Sequence, residues 1–178
     1  MDKQRFPLAE AERVAEQLAA ALTPACERVA IAGSIRRRRP DVGDIELLVI
    51  PKPLPMMDMF SNVMGQGDSL LPLLPELGLI PRLNIKGHTT MGPKNKLLLH
   101  TPSGIPVDLF STEARYWGMA LAVRTGDSLF NIRLMQRLLL DGCHGHAYGG
   151  ITDQYGVEHD VPDEETLFAY VGWAFQEP

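Results

Sequence analysis

The sequence predicts an α+β fold, in which a mixed β-sheet is followed by a smaller module made mainly of helices. Two observations support this prediction. Short apolar runs of β type occur at 27–33, 44–50 and 105–112, separated by segments that contain Gly, Pro and Asn. Segments with apolar residues at helical spacing occur at 8–22 and 128–140. With 178 residues, the chain is long enough for one domain with a core, or for two small subdomains that share a cleft.

The first elements follow directly from local patterns. Residues 8–22 (LAEAERVAEQLAAAL) predict a helix that ends before Pro24. Residues 27–33 (ERVAIAG) predict a short buried strand, and Gly33 then opens a short helix into a run of arginines. Residues 44–50 (DIELLVI) predict a second strand, whose alternating pattern merges into a fully apolar stretch.

The middle of the chain is rich in Met, Leu and Pro. We expect a helix around Met57–Met64 and another around Leu70–Leu77. Three β-like segments follow, LIPRLNIKG (79–87), KNKLLLHT (94–101) and IPVDLFST (105–112).

The last third predicts a different kind of structure. Asp127 or Ser128 can cap an amphipathic helix that includes SLFNIRLMQRLLL, and hairpin-like pieces follow at 146–161. PDEETLFAYVGW (162–173) begins a final helix with a capping segment. We place the division of the chain at ARYWGMALAV, which gives domains 1–116 and 117–178.

Composition limits the kinds of partner. The net charge of −5 argues against a surface that coats nucleic acid broadly, so any polyanion must bind at a local cluster, and Arg36–Arg39 is the densest one. Cys26 and Cys143 form no metal or redox motif, and we therefore expect a reduced cytoplasmic protein. No apolar run approaches the roughly 20 residues that span a bilayer, so we expect no membrane partner.

Three acids form the candidate site. Residues two apart in a strand share a face, so Asp44 and Glu46 project together at the start of their strand. Asp108 lies in a strand that otherwise looks buried, which is costly unless the carboxylate is paired or coordinated. If the two strands are neighbours, three carboxylates meet and could hold two metal ions about 3.5–4 Å apart. Taken singly, these acids could be a solvated strand edge and a salt-bridged aspartate.

A second feature complements the acids. Gly33-Ser34 at a helix start presents amide groups and a hydroxyl to an anion, and the following arginines can bind phosphate oxygens. The arginine run alone could be a surface turn. Together with the acids, it predicts a site for a nucleoside triphosphate and its metals.

These residues resemble the nucleotidyltransferase signature of the DNA polymerase beta superfamily: Gly-Ser, basic residues, Gly-Asp-x-acid and a later apolar-Asp-apolar strand. KGHTTMG (86–92) followed by IPVDLF resembles the palm of the DNA polymerase X family. RTGDSLFNIRL (124–134) resembles the thumb of that family, and DEETLFAYVGWAFQEP resembles its C-terminal stretch. The resemblance covers roughly residue 25 to the end, and it implies a minimal palm-plus-thumb polymerase.

The resemblance implies specific roles. It implies two Mg²⁺ or Mn²⁺ ions held by the catalytic residues Asp44, Glu46 and Asp108, with Asp108 helping to deprotonate a primer 3′-hydroxyl. It implies nucleotide contacts at Gly33, Ser34, Arg37, Gly43, Gly126 and Asn131. We expect DNA contacts, weak and sensitive to salt, at Lys86, Lys94, Lys96, Arg133 and Arg137. Arg133 and Arg137 could equally be a solvated helix face.

The sequence departs from the family pattern at several places. The second metal ligand is usually Asp, and here it is Glu46. The aromatic pair that discriminates sugars is replaced by Val123-Arg124, and Pro106 takes the place of a basic residue. Ser128 replaces an acid that follows the Thr-Gly turn.

We therefore expect a monomeric DNA polymerase of the X family that acts on a DNA primer in short-gap repair, in the cytoplasm, a nucleoid or a virus-infected cell. Alternatives are a template-independent enzyme, a transferase acting on RNA, protein or small molecules, and a non-catalytic nucleotide-binding relative.

Overall fold

The computed structural model describes residues 4–60 and 62–178, and within them the protein is mixed α+β, as the sequence predicts. The strands are β1 (Phe6–Pro7), β2 (Cys26–Ile31), β3 (Asp41–Val42), β4 (Ile45–Pro51), β5 (Leu54–Met57), β6 (Val63–Gly67), β7 (Leu79–Pro81), β8 (Asn95–His100), β9 (Ile105–Ser111), β10 (His144–Gly145), β11 (Ile151–Thr152) and β12 (Glu158–His159). The helices are α1 (Leu8–Leu22), α2 (Gly33–Arg36), α3 (Trp117–Thr125), α4 (Ser128–Leu140) and α5 (Glu164–Tyr170).

A five-stranded mixed sheet forms the centre of the first two thirds of the chain. Its order is β2-β4-β9-β8-β7, in which β4 and β9 are parallel and the other neighbours are antiparallel. The parallel pair occupies the middle of the sheet because its apolar runs are buried on both faces.

The two faces of the sheet pack against different helices. One face of β4 and β9, including Ile45, Leu47 and Leu109, packs against α1 in the larger core. The opposite face carries Leu48 and Phe110, which pack against α3 through Trp117, Ala120 and Leu121. Since side chains alternate along a strand, Glu46 and Asp108 belong to this second face.

Residues 117–178, which we call the C-terminal module, have a further core of their own. It joins Met119 of α3, Leu134 and Leu138 of α4, and Leu167 of α5. The N-terminal ends of α4 and α5 are both capped by a side chain, as the sequence predicts. The carboxylate of Asp127 accepts a hydrogen bond from the Phe130 amide (2.9 Å), and that of Asp163 accepts one from the Thr166 amide (2.7 Å). Because α3 contributes to this core and also packs on the sheet, the domain boundary after residue 116 stays a prediction.

In the part of the chain that the structure describes, neither of the helices expected around Met57–Met64 and Leu70–Leu77 is present. The first segment contributes to the antiparallel hairpin β5–β6, in which Met57 pairs with Val63. Its turn is stabilised by the Asp58 carboxylate, which accepts hydrogen bonds from the amides of Phe60 (2.8 Å) and Asn62 (2.9 Å), and this turn chemistry outweighs the apolar pattern.

The second segment is a series of turns over 69–78. Pro72 and Pro75 explain the loss of a helix there, because proline lacks the amide hydrogen that an α-helix needs. Within the described residues, no helix combines the length and apolar character that crossing a membrane requires.

Candidate functional site

The three acids lie on the two parallel strands, Asp44 and Glu46 at the start of β4 and Asp108 in the middle of β9. Glu46 of β4 and Asp108 of β9 are direct partners in the register, and Asp44 immediately precedes β4. Asp108 is in turn the register partner of Leu97 on β8, and the Arg82 amide donates to the Leu97 carbonyl oxygen at 3.0 Å. Glu46, Asp108, Leu97 and Arg82 thus form one row across the sheet, on one face.

Gly33 lies against the Glu46 side chain, on the side of β4 that faces away from β9. The Ala32 amide donates to the Glu46 carbonyl oxygen at 2.9 Å, which brings the start of α2 beside the strand. A Cβ atom at Gly33 would lie 1.9 Å from Glu46 Oε2, and Gly33 also has a φ of +63°. Only glycine fits this position, because any other side chain would displace the carboxylate and adopt a strained backbone conformation.

The acids influence one another electrostatically. Burial, followed by the charges of Asp44 and Asp108, raises the pKa of Glu46 from 4.5 to about 7. The nearby Arg124 and Arg37 guanidinium groups act in the opposite direction on the pKa of Glu46. Burial and the neighbouring negative charges therefore both disfavour the ionised form of Glu46.

Asp108 has a cationic neighbour that the sequence analysis did not identify. Arg82 Nη2 lies 2.5 Å from Asp108 Oδ1, and both side chains are mostly buried. In the sequence, Arg82 is noticeable only because it directly follows the β-like residues LIP. Its proximity to Asp108 could be predicted only if the register of the strands were known. Pro106, two residues before Asp108, supplies no cation, so Arg82 supplies one from across the sheet.

The donor chemistry of the three acids suits a hard divalent cation, because such ions prefer carboxylate oxygens. As they stand, Glu46 leans toward Gly33 and Asp108 toward Arg82, in opposite directions along the row. Accordingly, no three His, Cys, Asp or Glu side chains in residues 4–60 and 62–178 are grouped closely enough to hold a metal ion. The acids fit a metal by their chemistry and by their strand positions, and binding would require the two carboxylates to turn toward each other.

The arginine run has several distinct partners. Arg36 binds the Glu164 carboxylate with two hydrogen bonds (2.8 and 2.6 Å) and also donates to Thr125 Oγ1 at 2.9 Å. Arg37 donates to the Thr125 carbonyl oxygen, and Arg38 pairs with Glu12 on α1. Two of the four arginines therefore fasten α2 to the C-terminal module.

The predicted nucleotide contacts fall in two adjoining places. Ser34 and Arg37 line a shallow depression together with Arg5, Arg39, Pro40 and Asp41. Arg37 also lines a cavity of about 140 Å³ with Thr125, Gly126, Asp127 and Phe130. Gly43 is buried directly before Asp44. Arg37, which directly follows α2, thus connects that helix with the Thr125-Gly126 turn.

Gly126 and Asn131 are neighbours in the C-terminal module. Asn131 Nδ2 donates to the carbonyl oxygens of Val123 (2.9 Å) and Gly126 (3.3 Å). A Cβ atom at Gly126 would lie 2.2 Å from Phe130 Cδ1, so the turn requires glycine for close packing. Asn131 is therefore engaged in holding the turn that precedes α4.

Arg124 is a second residue that the sequence analysis did not assign to the site. Its guanidinium lies over the ring of Phe110 (3.7 Å to the centroid) and that of Tyr148 (4.6 Å). This stacking holds a positive charge at the end of α3, close enough to Glu46 to lower the pKa of that carboxyl.

One of the five predicted DNA contacts is wrong. Lys96 is fully buried, and its Nζ lies 2.5 Å from Asp68 Oδ2, so its ammonium group cannot reach DNA. The position is buried because Lys96 lies in β8 opposite Leu109, on the face of the sheet that packs in the larger core. Lys86, Lys94 and Arg133 are exposed, and Arg137 is paired with Asp141 at 2.9 Å on α4. These four stay predictions.

Comparison of the chain with protein-family models found no match, and comparison with curated proteins found none either. The resemblance to polymerases of the X family therefore stays a prediction. The function has to be inferred from the residues and their arrangement.

Proposed function

We propose that this protein is a nucleotidyltransferase of the DNA polymerase X type, which joins a nucleotide to a primer 3′-hydroxyl and releases pyrophosphate. In this proposal the mixed sheet is the palm (1–116) and the C-terminal module is the thumb (117–178). The observation that carries the proposal is the register of β4 and β9, which pairs Glu46 with Asp108 and leaves Asp44 beside them. Three acids on adjacent strands are costly without a cation.

Asp44, Glu46 and Asp108 would hold two Mg²⁺ or Mn²⁺ ions. When bound, such ions lower the pKa of an attacking hydroxyl and offset negative charge on the transferred and leaving phosphates. Glu46 would have to lose its proton to act as a ligand. Because its pKa is about 7 in the absence of metal, metal binding should release a proton at neutral pH.

The remaining residues would bind and orient the substrates. Ser34 and Arg37 would contact the β- and γ-phosphates, and Arg37 would exchange its hydrogen bond with the Thr125 carbonyl for one with phosphate. Asp108 would accept the proton of the primer hydroxyl. Gly126 and Asn131 would border the nucleotide, since Arg37 and Gly126 line one cavity. Lys86, Lys94, Arg133 and Arg137 would contact DNA phosphates.

The test is extension of a labelled primer with Mg²⁺ or Mn²⁺, on a gapped duplex and on a lone single strand, each with dNTPs and with NTPs. Asp44→Ala and Asp108→Ala should each abolish extension. Asp160→Ala is the matched control, because Asp160 pairs with Arg115 and has no role in the proposed site. Near-normal extension by either Ala variant would refute the proposed site. Extension of the lone strand would favour the template-independent alternative.

A second candidate is a nucleotide-binding protein without catalytic activity. The observation that favours it is the Arg82–Asp108 ion pair, in which a protein cation already contacts the third acid. This candidate predicts that nucleoside triphosphate binds to the protein while neither DNA, RNA nor a small molecule is modified. Calorimetric titration with dNTP alongside the primer assay distinguishes the two.

A further inference from the structure

The position of Arg82 is set by the register of three strands. Arg82 follows β7, its amide is hydrogen-bonded to Leu97 of β8, and Leu97 is the partner of Asp108 on β9. The guanidinium reaches over Leu97 to the carboxylate, and Arg82 Nη2 lies 2.5 Å from Asp108 Oδ1. The side chains of Arg82 and Asp108 are only 27% and 16% exposed, so the pair is largely shielded from water.

The surroundings of Arg82 do not explain it as a stabilising feature alone. Arg82 Nε is buried and has no hydrogen-bond partner among the described residues. A partly satisfied buried cation is unfavourable, and a well-packed apolar side chain of similar size would serve the fold as well. Its orienting contact with Asp108 is therefore the feature that needs a functional explanation.

The geometry points to Arg82 as the positioning residue of the third carboxylate. It holds Asp108 in one orientation within the row and balances its charge until a divalent cation binds. The proposal rests on the proposed function, since it assigns Arg82 to the acid that would bind metal and accept a proton. Arg82 is thus expected to oppose metal binding while it supports catalysis.

Two opposite effects follow from replacing Arg82 by Gln. Removing a positive charge beside a metal ligand should strengthen Mn²⁺ binding by about three- to tenfold in the absence of nucleotide and DNA. Loss of an outer group that orients a ligand should lower kcat for primer extension by about 10- to 100-fold. A purely structural role would weaken both properties together. Arg82→Lys keeps the charge but not the planar fork, so its Mn²⁺ affinity should stay near that of the wild type with an intermediate kcat.

The experiment measures free Mn²⁺ by electron paramagnetic resonance during titration of the wild-type, Arg82→Gln and Arg82→Lys proteins, and then their primer extension. Arg115→Gln is the matched control, because it breaks another arginine ion pair, with Asp160 at 2.7 Å, that has no role in the proposed site. The control should change neither Mn²⁺ affinity nor kcat.

Mn²⁺ affinity that is equal or weaker in Arg82→Gln, or a wild-type kcat in that variant, would overturn the assignment of Arg82. A wild-type protein that binds Mn²⁺ but extends no primer would instead overturn the proposed function. The two failures are distinguishable because Mn²⁺ binding is measured without catalysis.

Discussion

Replacing Glu46 by Gln should stabilise the metal-free protein at alkaline pH. The Glu46 carboxyl is packed against Gly33 and lies beside two other acids, so its charged form is disfavoured in the folded state. Gln has nearly the same shape and no charge, and it therefore removes this electrostatic cost without opening a cavity. Loss of catalysis in the same variant would follow, since Gln is a poor ligand for a divalent cation.

The magnitude follows from the change in proton affinity. A tenfold change in a proton-binding constant corresponds to about 1.4 kcal/mol. The rise in the pKa of Glu46 from 4.5 to about 7 thus corresponds to roughly 3–4 kcal/mol at most. The folded protein binds this proton more tightly than the unfolded chain does. The contribution of Glu46 to the free energy of unfolding therefore falls as the pH rises from about 4.5 to about 7, and it stays low above that.

The assay is urea unfolding of the wild-type and Glu46→Gln proteins in EDTA, at pH 4.5 and at pH 8. The free energy of unfolding of the Glu46→Gln variant, relative to that of the wild type, should be about 1–3 kcal/mol higher at pH 8 than at pH 4.5. Glu16→Gln, which changes an exposed carboxylate on α1, is the control and should show little pH-dependent difference. A Glu46→Gln effect of the same size at both pH values would refute the reasoning about Glu46.

Two further predictions concern the packing around the site. Gly33→Ala should lower the free energy of unfolding by at least about 2 kcal/mol and abolish the proposed primer extension, because its Cβ would displace the Glu46 carboxylate and because position 33 has a φ of +63°, which strains any residue other than glycine. Gly104→Ala, with a φ of +70° and no atom within 4 Å of the added Cβ, should cost only about 1 kcal/mol in urea unfolding; equal costs would contradict the clash. Lys96→Met should destabilise the protein by about 3 kcal/mol, because it leaves the partly buried Asp68 carboxylate without its cation. Calorimetry should show that a second change, Asp68→Leu, restores part of this loss, and no restoration would count against the ion pair.

Local signals in the sequence were enough to predict much of the fold. Apolar spacing gave the limits of α1, and the acids at residues 127 and 163 marked the starts of α4 and α5 because their carboxylates cap free amides. The Met-rich segment was misjudged because its hairpin depends on a turn closed by Asp58 rather than on apolar periodicity.

The carboxylates of the candidate site could be predicted, but their partners could not. Alternation along a strand placed Asp44 and Glu46 on one face, whereas their approach to Asp108 depended on parallel pairing between distant segments. The ion pairs of Arg36 with Glu164 and of Arg82 with Asp108 could not be predicted for the same reason. These ion pairs depend on how the C-terminal module packs and on the place of β7 in the sheet.

The most direct test of the account is a crystal of the protein soaked in Mn²⁺, with the metal located by anomalous diffraction. We predict a Mn²⁺ peak bound by oxygens of Asp44, Glu46 and Asp108, with the Glu46 carboxylate turned away from Gly33. A map with no peak at these three acids, or with Mn²⁺ bound only at other residues, would contradict the central claim.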